Sequence, residues 1–149
     1  MAKKFNFRLN SVLRLNTHKV KVAEDALMEI VNIRVSKENR MNELKEYLLQ
    51  LQKKKMKSAQ ASDLQAHWYH MTSVEEQIKK LLREIDQILE LENIKRLKLV
   101  EAMKEERVME KLKEKKFDDY KKETADEEMK ELNEIATTRH YKANKAEQQ

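Results

Sequence analysis

Residues 41–85 read MNELKEYLLQLQKKKMKSAQASDLQAHWYHMTSVEEQIKKLLREI, and this stretch decides the fold. On its first side Met41, Leu44, Leu48 and Leu51 recur in steps of three and four, the spacing of a coiled-coil seam. On its far side Leu64, Trp68, Met71, Ile78, Leu82 and Ile85 resume the rhythm. Between them lies Lys57-Ser-Ala-Gln-Ala-Ser-Asp63, short and poor in large apolar side chains. Ser62-Asp-Leu-Gln65 fits a capping box, in which the hydroxyl accepts from the third helical amide and Gln65 reaches back. Two helices joined by about five residues must lie antiparallel. Folding about residues 59–60 sets Leu51 near Trp68, Leu48 near Met71, Met41 near Ile78 and Ile30 near Leu89. A continuous parallel dimer is the competing arrangement, but its seam would run on unbroken, whereas this one changes phase at the turn.

Outward from the turn the first seam continues through Ile30, Leu27, Ala23, Val20 and Leu13, with Asn16, Arg34 and Lys37 as polar members. The second reaches Leu89, with Glu75 as its polar intruder. The expected fold is therefore all-α: an antiparallel two-helix coiled-coil hairpin with a longer second helix, one domain over residues 1–149. Helix 1 is expected over about 8–57, the turn over about 58–62, helix 2 over about 63–138 and a polar tail over about 139–149. The far end of helix 2 has no partner arm and is expected to fray when alone.

Composition agrees. The 149 residues include no Gly, Pro or Cys, and 40% are charged. Without Gly and Pro the tight turns of many-stranded folds and the phosphate-cradling loops of nucleotide-binding folds lack their usual residues. The net charge of +5 is uneven: 14 basic against 6 acidic side chains up to residue 60, and 18 against 21 after it. A basic first half lying against a mildly acidic second half accounts for this. The one dense basic run, Lys53-Lys54-Lys55 with Lys57, has few interleaved aromatics, so no nucleic-acid partner is expected. Asn6, Arg8 and Asn10 interrupt any signal-peptide core, and no stretch approaches the roughly 20 apolar residues of a membrane span. A cytoplasmic protein is expected.

Chemistry has little to stand on. His67 and His70 share a helix face but lack a third ligand, so no metal or cofactor is expected. Pairs such as Glu75-Glu76 sit on a helix surface, where nothing desolvates them for acid–base work. The chain reads as a non-enzyme. Two apolar features exceed what one partner helix needs. A row spaced by three, from Ile85 through Leu91, Ile94, Leu97 and Val100 to Met103, winds around helix 2. A second stripe, Val74, Leu81 and Ile88, runs beside the seam with His67, His70 and Gln77; it either flanks and shields the core or faces outward toward a partner.

Three strings carry a family resemblance. Phe5-Asn-Phe-Arg-Leu-Asn-Ser-Val-Leu-Arg-Leu15, followed by Lys19 and Ala23, resembles the opening of the flagellar export FliJ family, an aromatic-x-aromatic lead that passes into a charged helix. The stretch from Val100 to Lys116 resembles its Glu- and Lys-rich helix, and Glu128-Met-Lys-Glu-Leu-Asn-Glu-Ile-Ala136 its close, with Asn133 where the family has Asp. The resemblance covers nearly the whole chain. It implies a stalk that associates with the hexameric export ATPase, contacts the cytoplasmic part of the membrane export gate and escorts export chaperones. It also implies a place at the cytoplasmic face of the inner membrane. On that reading Leu9, Leu13, Leu132, Ile135 and Arg139 meet the ATPase, and His70, Val74, Gln77 and Leu81 meet the gate. The isolated chain is expected to be a monomeric hairpin. Alternatives are the equivalent stalk of an injectisome, a scaffolding or cytoskeletal coiled coil that forms homodimers or filaments, and a prefoldin-like holdase, for which no strand pattern is present.

Overall fold

A computed structural model of the chain describes residues 4–54 and 60–147. It is an antiparallel two-helix coiled-coil hairpin with helix α1 over Asn10–Lys53 and helix α2 over Ala61–Glu147. Among the described residues there is no strand and no positive φ. The end expected for helix 1 at 57 and the first part of the expected turn lie outside the described residues. Helix α2 opens at Gln60, whose carbonyl accepts from the amides of Asp63 and Leu64 at 3.0 and 3.2 Å. The Asp63 carboxylate accepts from the Gln60 amide in return, at 3.3 Å. The cap is thus set by Gln60 and Asp63 rather than by Ser62, because an acid at the third helical position both reaches back and complements the positive helix end.

At the other end α2 runs past Thr138 to Glu147, through the segment expected to be a polar tail. No Gly or Pro interrupts it, and Lys, Glu, Arg and Ala are strong helix formers. Thr137 and Thr138 turn their hydroxyls back onto the carbonyls of Asn133 and Glu134 at 2.6 and 2.7 Å.

Two compact units divide the chain: His18–Met103, and Met1–Thr17 with Lys104–Gln149. In the His18–Met103 unit the α1 seam is the expected one, position for position. Val20 and Leu44 are buried, and Ala23, Leu27, Ile30, Arg34, Lys37, Met41, Leu48 and Leu51 are half-buried. On α2 the seam keeps the expected Met71, Ile78 and Ile85 but completes them with a different set. Val74, at 3% exposure, packs with Ile78 and Leu44, and Met41, Leu48, Leu51 and Leu81 close around them. Ile85 is buried and Ile88 half-buried. Leu64, Trp68, Leu82 and Leu89, expected in the seam, are exposed. The expected facing of Leu51 with Trp68 and of Ile30 with Leu89 is therefore replaced. The packing that fits this cluster sets Leu48 beside Val74 instead of Met71, and α2 turns about 50° relative to the expected face.

Charge enters the seam farther along. Glu92, 4% exposed, accepts from Arg34 Nε at 2.7 Å and from Arg96 at 2.8 Å. Arg34 also donates to both oxygens of Glu38, and Lys37 Nζ donates to Glu84 at 2.7 Å. Every buried polar side-chain atom among the described residues has a hydrogen-bond partner, which is what allows charges at such positions.

Candidate functional site

In the unit formed by the two chain ends, the N-terminal lead lies against α2. Phe7 is buried, and its carbonyl accepts from the Asn10 amide at 3.0 Å, the turn that leads into α1. Phe5 meets the edge of Phe117 with ring centroids 5.1 Å apart and Tyr120 at 5.5 Å. Lys121 Nζ sits 4.4 Å from the Phe117 ring centre, a cation–π contact. Phe5, Phe7 and Leu9 face Leu112 and Lys116 across a groove of about 580 Å³. Asn16 is buried, and Thr17 and Glu106 are hydrogen-bonded at 2.7 Å. Leu13 is half-buried in this seam and Leu9 is 41% exposed.

Beyond Thr124 the character of α2 changes. Every residue from 125 to 143 is exposed. Met129, Leu132, Ile135 and Arg139 follow one another at steps of three and four, which stacks them on one face of the bare helix. Ile135 and Arg139 line a shallow depression with Glu131, Glu134, Thr138 and Lys142. The five residues expected to meet the ATPase are therefore two sets. Leu9 and Leu13 belong to the packed part, whereas Leu132, Ile135 and Arg139 lie on the bare helix, with Leu112 and Leu132 about 30 Å apart along it. Phe5 lies opposite Phe117 and Tyr120, and among the described residues α2 is exposed from 125 to 143.

In the His18–Met103 unit the expected gate stripe is split as well. His70 and Gln77 are exposed, and the His70 ring nitrogen Nε2 lies 2.8 Å from the Tyr47 hydroxyl. Val74 is buried and Leu81 is half-buried in the core, so these two are seam residues, not an outward stripe. The stripe that stays outside is made of the other residues read as seam: Trp68 at 61%, Leu82 at 42% and Leu89 at 40% exposure. Trp68 also stacks edge-on with Tyr69 at 5.4 Å. Leu91, Ile94, Leu97, Val100 and Met103, from the row spaced by three, are exposed.

Two charges in this unit are shifted by their partners. The hydrogen bonds from Arg34 to Glu92 and then to Glu38 raise the guanidinium above its ordinary value. The hydrogen bond from Lys37 lowers the Glu84 carboxyl below the usual carboxylate range. Both are the effect of an opposite charge that favours the ionised form. No group of three or more His, Asp or Glu side chains arranged to hold a metal occurs among the described residues.

A family model described as flagellar FliJ protein matches residues 5–145. The chain belongs to the FliJ family. As a FliJ-family protein it is a component of the flagellar export apparatus. The match spans the aromatic lead, both helices and the bare segment of α2. Comparison with curated proteins and with solved structures gave no match. No helix of this FliJ-family chain is long and apolar enough to cross a membrane, among the described residues.

Proposed function

We propose that the chain is the non-enzymatic stalk subunit of the export ATPase hexamer, at the cytoplasmic face of the inner-membrane export apparatus. The observation that carries this reading is the bare segment of α2: a helix exposed from 125 to 143 with one apolar column, Met129, Leu132 and Ile135, ending in Arg139. Isolated helices of this kind are marginal in water, so a column of this length calls for a host surface. A charged single helix inserted in a ring offers many weak contacts, which suits a subunit that must release and re-engage as the ring turns over.

At the other unit the gate contact falls on exposed residues: His70 and Gln77 together with Trp68 and Leu82. Val74 and Leu81 contribute by holding the hairpin closed beneath them. Export chaperones are the third class of partner, and the apolar row Ile94, Leu97 and Val100 gives them an exposed surface.

The test is ATP turnover by the cognate export ATPase hexamer with the chain added. Turnover is expected to rise, and Leu132→Ala/Ile135→Ala to remove the rise with the helical signal intact. A chain that sediments as homodimers or filaments and leaves turnover unchanged is instead a scaffolding coiled coil.

A further inference from the structure

Helix α2 carries two apolar columns that share Met71, Ile78 and Ile85. One completes itself with Val74, Leu81 and Ile88, and this is the column packed on α1. The other completes itself with Trp68, Leu82 and Leu89 and faces solvent. The helix is thus apolar over a face wider than one partner can cover. Passing from one column to the other takes a turn of about 50° and a slide of three residues, about 4.5 Å along the axis. Leu48, now beside Val74, would then sit beside Met71.

Apolar packing is non-directional and discriminates weakly between two such columns. Ion pairs in a seam discriminate strongly, because a charge left there without its partner is costly. Such pairs stand next to the shared column. Arg34 Nε reaches Glu92 at 2.7 Å, and the Glu92 side chain is only 5% exposed. Lys37 reaches Glu84 at 2.7 Å, with both side chains about one-third exposed. The slide carries Glu92 away from Arg34 by nearly a helical turn, and the rotation swings Glu84 away from Lys37. It also brings Glu75 toward the seam beside Leu44.

We propose that the Arg34–Glu92 and Lys37–Glu84 pairs are a register lock: they hold α1 on the Val74 column, and their release lets the hairpin re-seat on the Trp68 column. The switch exchanges the surface offered to partners. In the locked register Trp68, Leu82 and Leu89 are outside; in the released one Val74, Leu81 and Ile88 take their place.

The chain is built for the experiment, having one Trp and no Cys. Two full-length cysteine pairs read the register: Leu48→Cys/Val74→Cys for the locked state and Leu48→Cys/Met71→Cys for the released one. In the otherwise unchanged chain only the first pair is expected to join on mild oxidation. With Glu84→Gln/Glu92→Gln the second pair is expected to join as well. In that background without added cysteines, Trp68 emission is expected to move to shorter wavelength and lose its quenching by iodide. Helical circular dichroism is followed throughout. The proposal is overturned if the helical signal persists while the second pair stays unjoined and Trp68 stays quenchable. It is overturned equally if both pairs join before any charge is removed, or if Glu84→Gln alone, at a partly exposed site, abolishes the helix, since the charges would then not be choosing between registers.

Discussion

Glu84 and Val74 show how single positions are decided. The Lys37 ammonium holds the Glu84 carboxyl below the ordinary value of 4.5. Its contribution to stability is therefore fully present above about pH 4.5 and is lost as the pH falls through the depressed value. Arg34, raised above its ordinary value by Glu92 and then Glu38, stays charged across the working range and drops out only at more alkaline pH. Glu84→Gln is accordingly expected to melt at a lower temperature than the parent near neutrality, and the gap to close once both are below the depressed carboxyl value. A gap that persists at pH 2 would mean the pair acts through packing instead of charge. Val74 was open to reading from the sequence by one comparison. The column through Glu75 places a charge in the apolar core, whereas the column through Val74 runs from Met71 to Ile88 without one.

At the scale of the helix the two arms differ in how plainly they declare themselves. Helix α1 has one apolar column, so its seam from Leu13 to Leu51 was legible down to the polar members Asn16, Arg34 and Lys37. Helix α2 has adjacent columns at Val74–Leu81–Ile88 and Trp68–Leu82–Leu89, and size favoured the wrong one, since Trp and Leu outweigh Val. Glu75 was the one sign in α2 itself against the second column, and the ion pairs beside the seam, Arg34–Glu92 and Lys37–Glu84, are visible only with both helices in place. The energetic consequence is measurable. Ile78→Ala removes a buried side chain from the core and should cost about 2–4 kcal/mol. Leu82→Ala, at an exposed position, should stay within about 0.5 kcal/mol. Urea unfolding of the two variants checks the order, and a larger loss for Leu82→Ala would return the seam to the other column.

For the chain as a whole, family and fold were open to reading, because composition without Gly or Pro leaves little but helices and the aromatic lead and closing motif stand in order. The arrangement of the candidate ATPase residues was not. Leu9 and Leu132 both sit near chain ends in the sequence, but Phe5 of the lead packs on Phe117 and Tyr120 while α2 continues to Glu147. Where Phe5 sits along α2 depends on ring contacts that no periodicity records. Removing residues 125–149 should then change the unfolding free energy read from urea melts little, within about 0.5 kcal/mol, because exposed helix buries almost nothing. The same truncation should abolish ATPase stimulation. Loss of both together would show that the segment supports the hairpin.

The adjacent hydroxyls of Thr137 and Thr138 compete with backbone amides for the carbonyls of Asn133 and Glu134, and such competition loosens and bends a helix. They stand between Ile135 and Arg139. A sideways push on the bare segment is expected to bend it there, so that against the host surface proposed above its last turns would work as a spring and not as a strut.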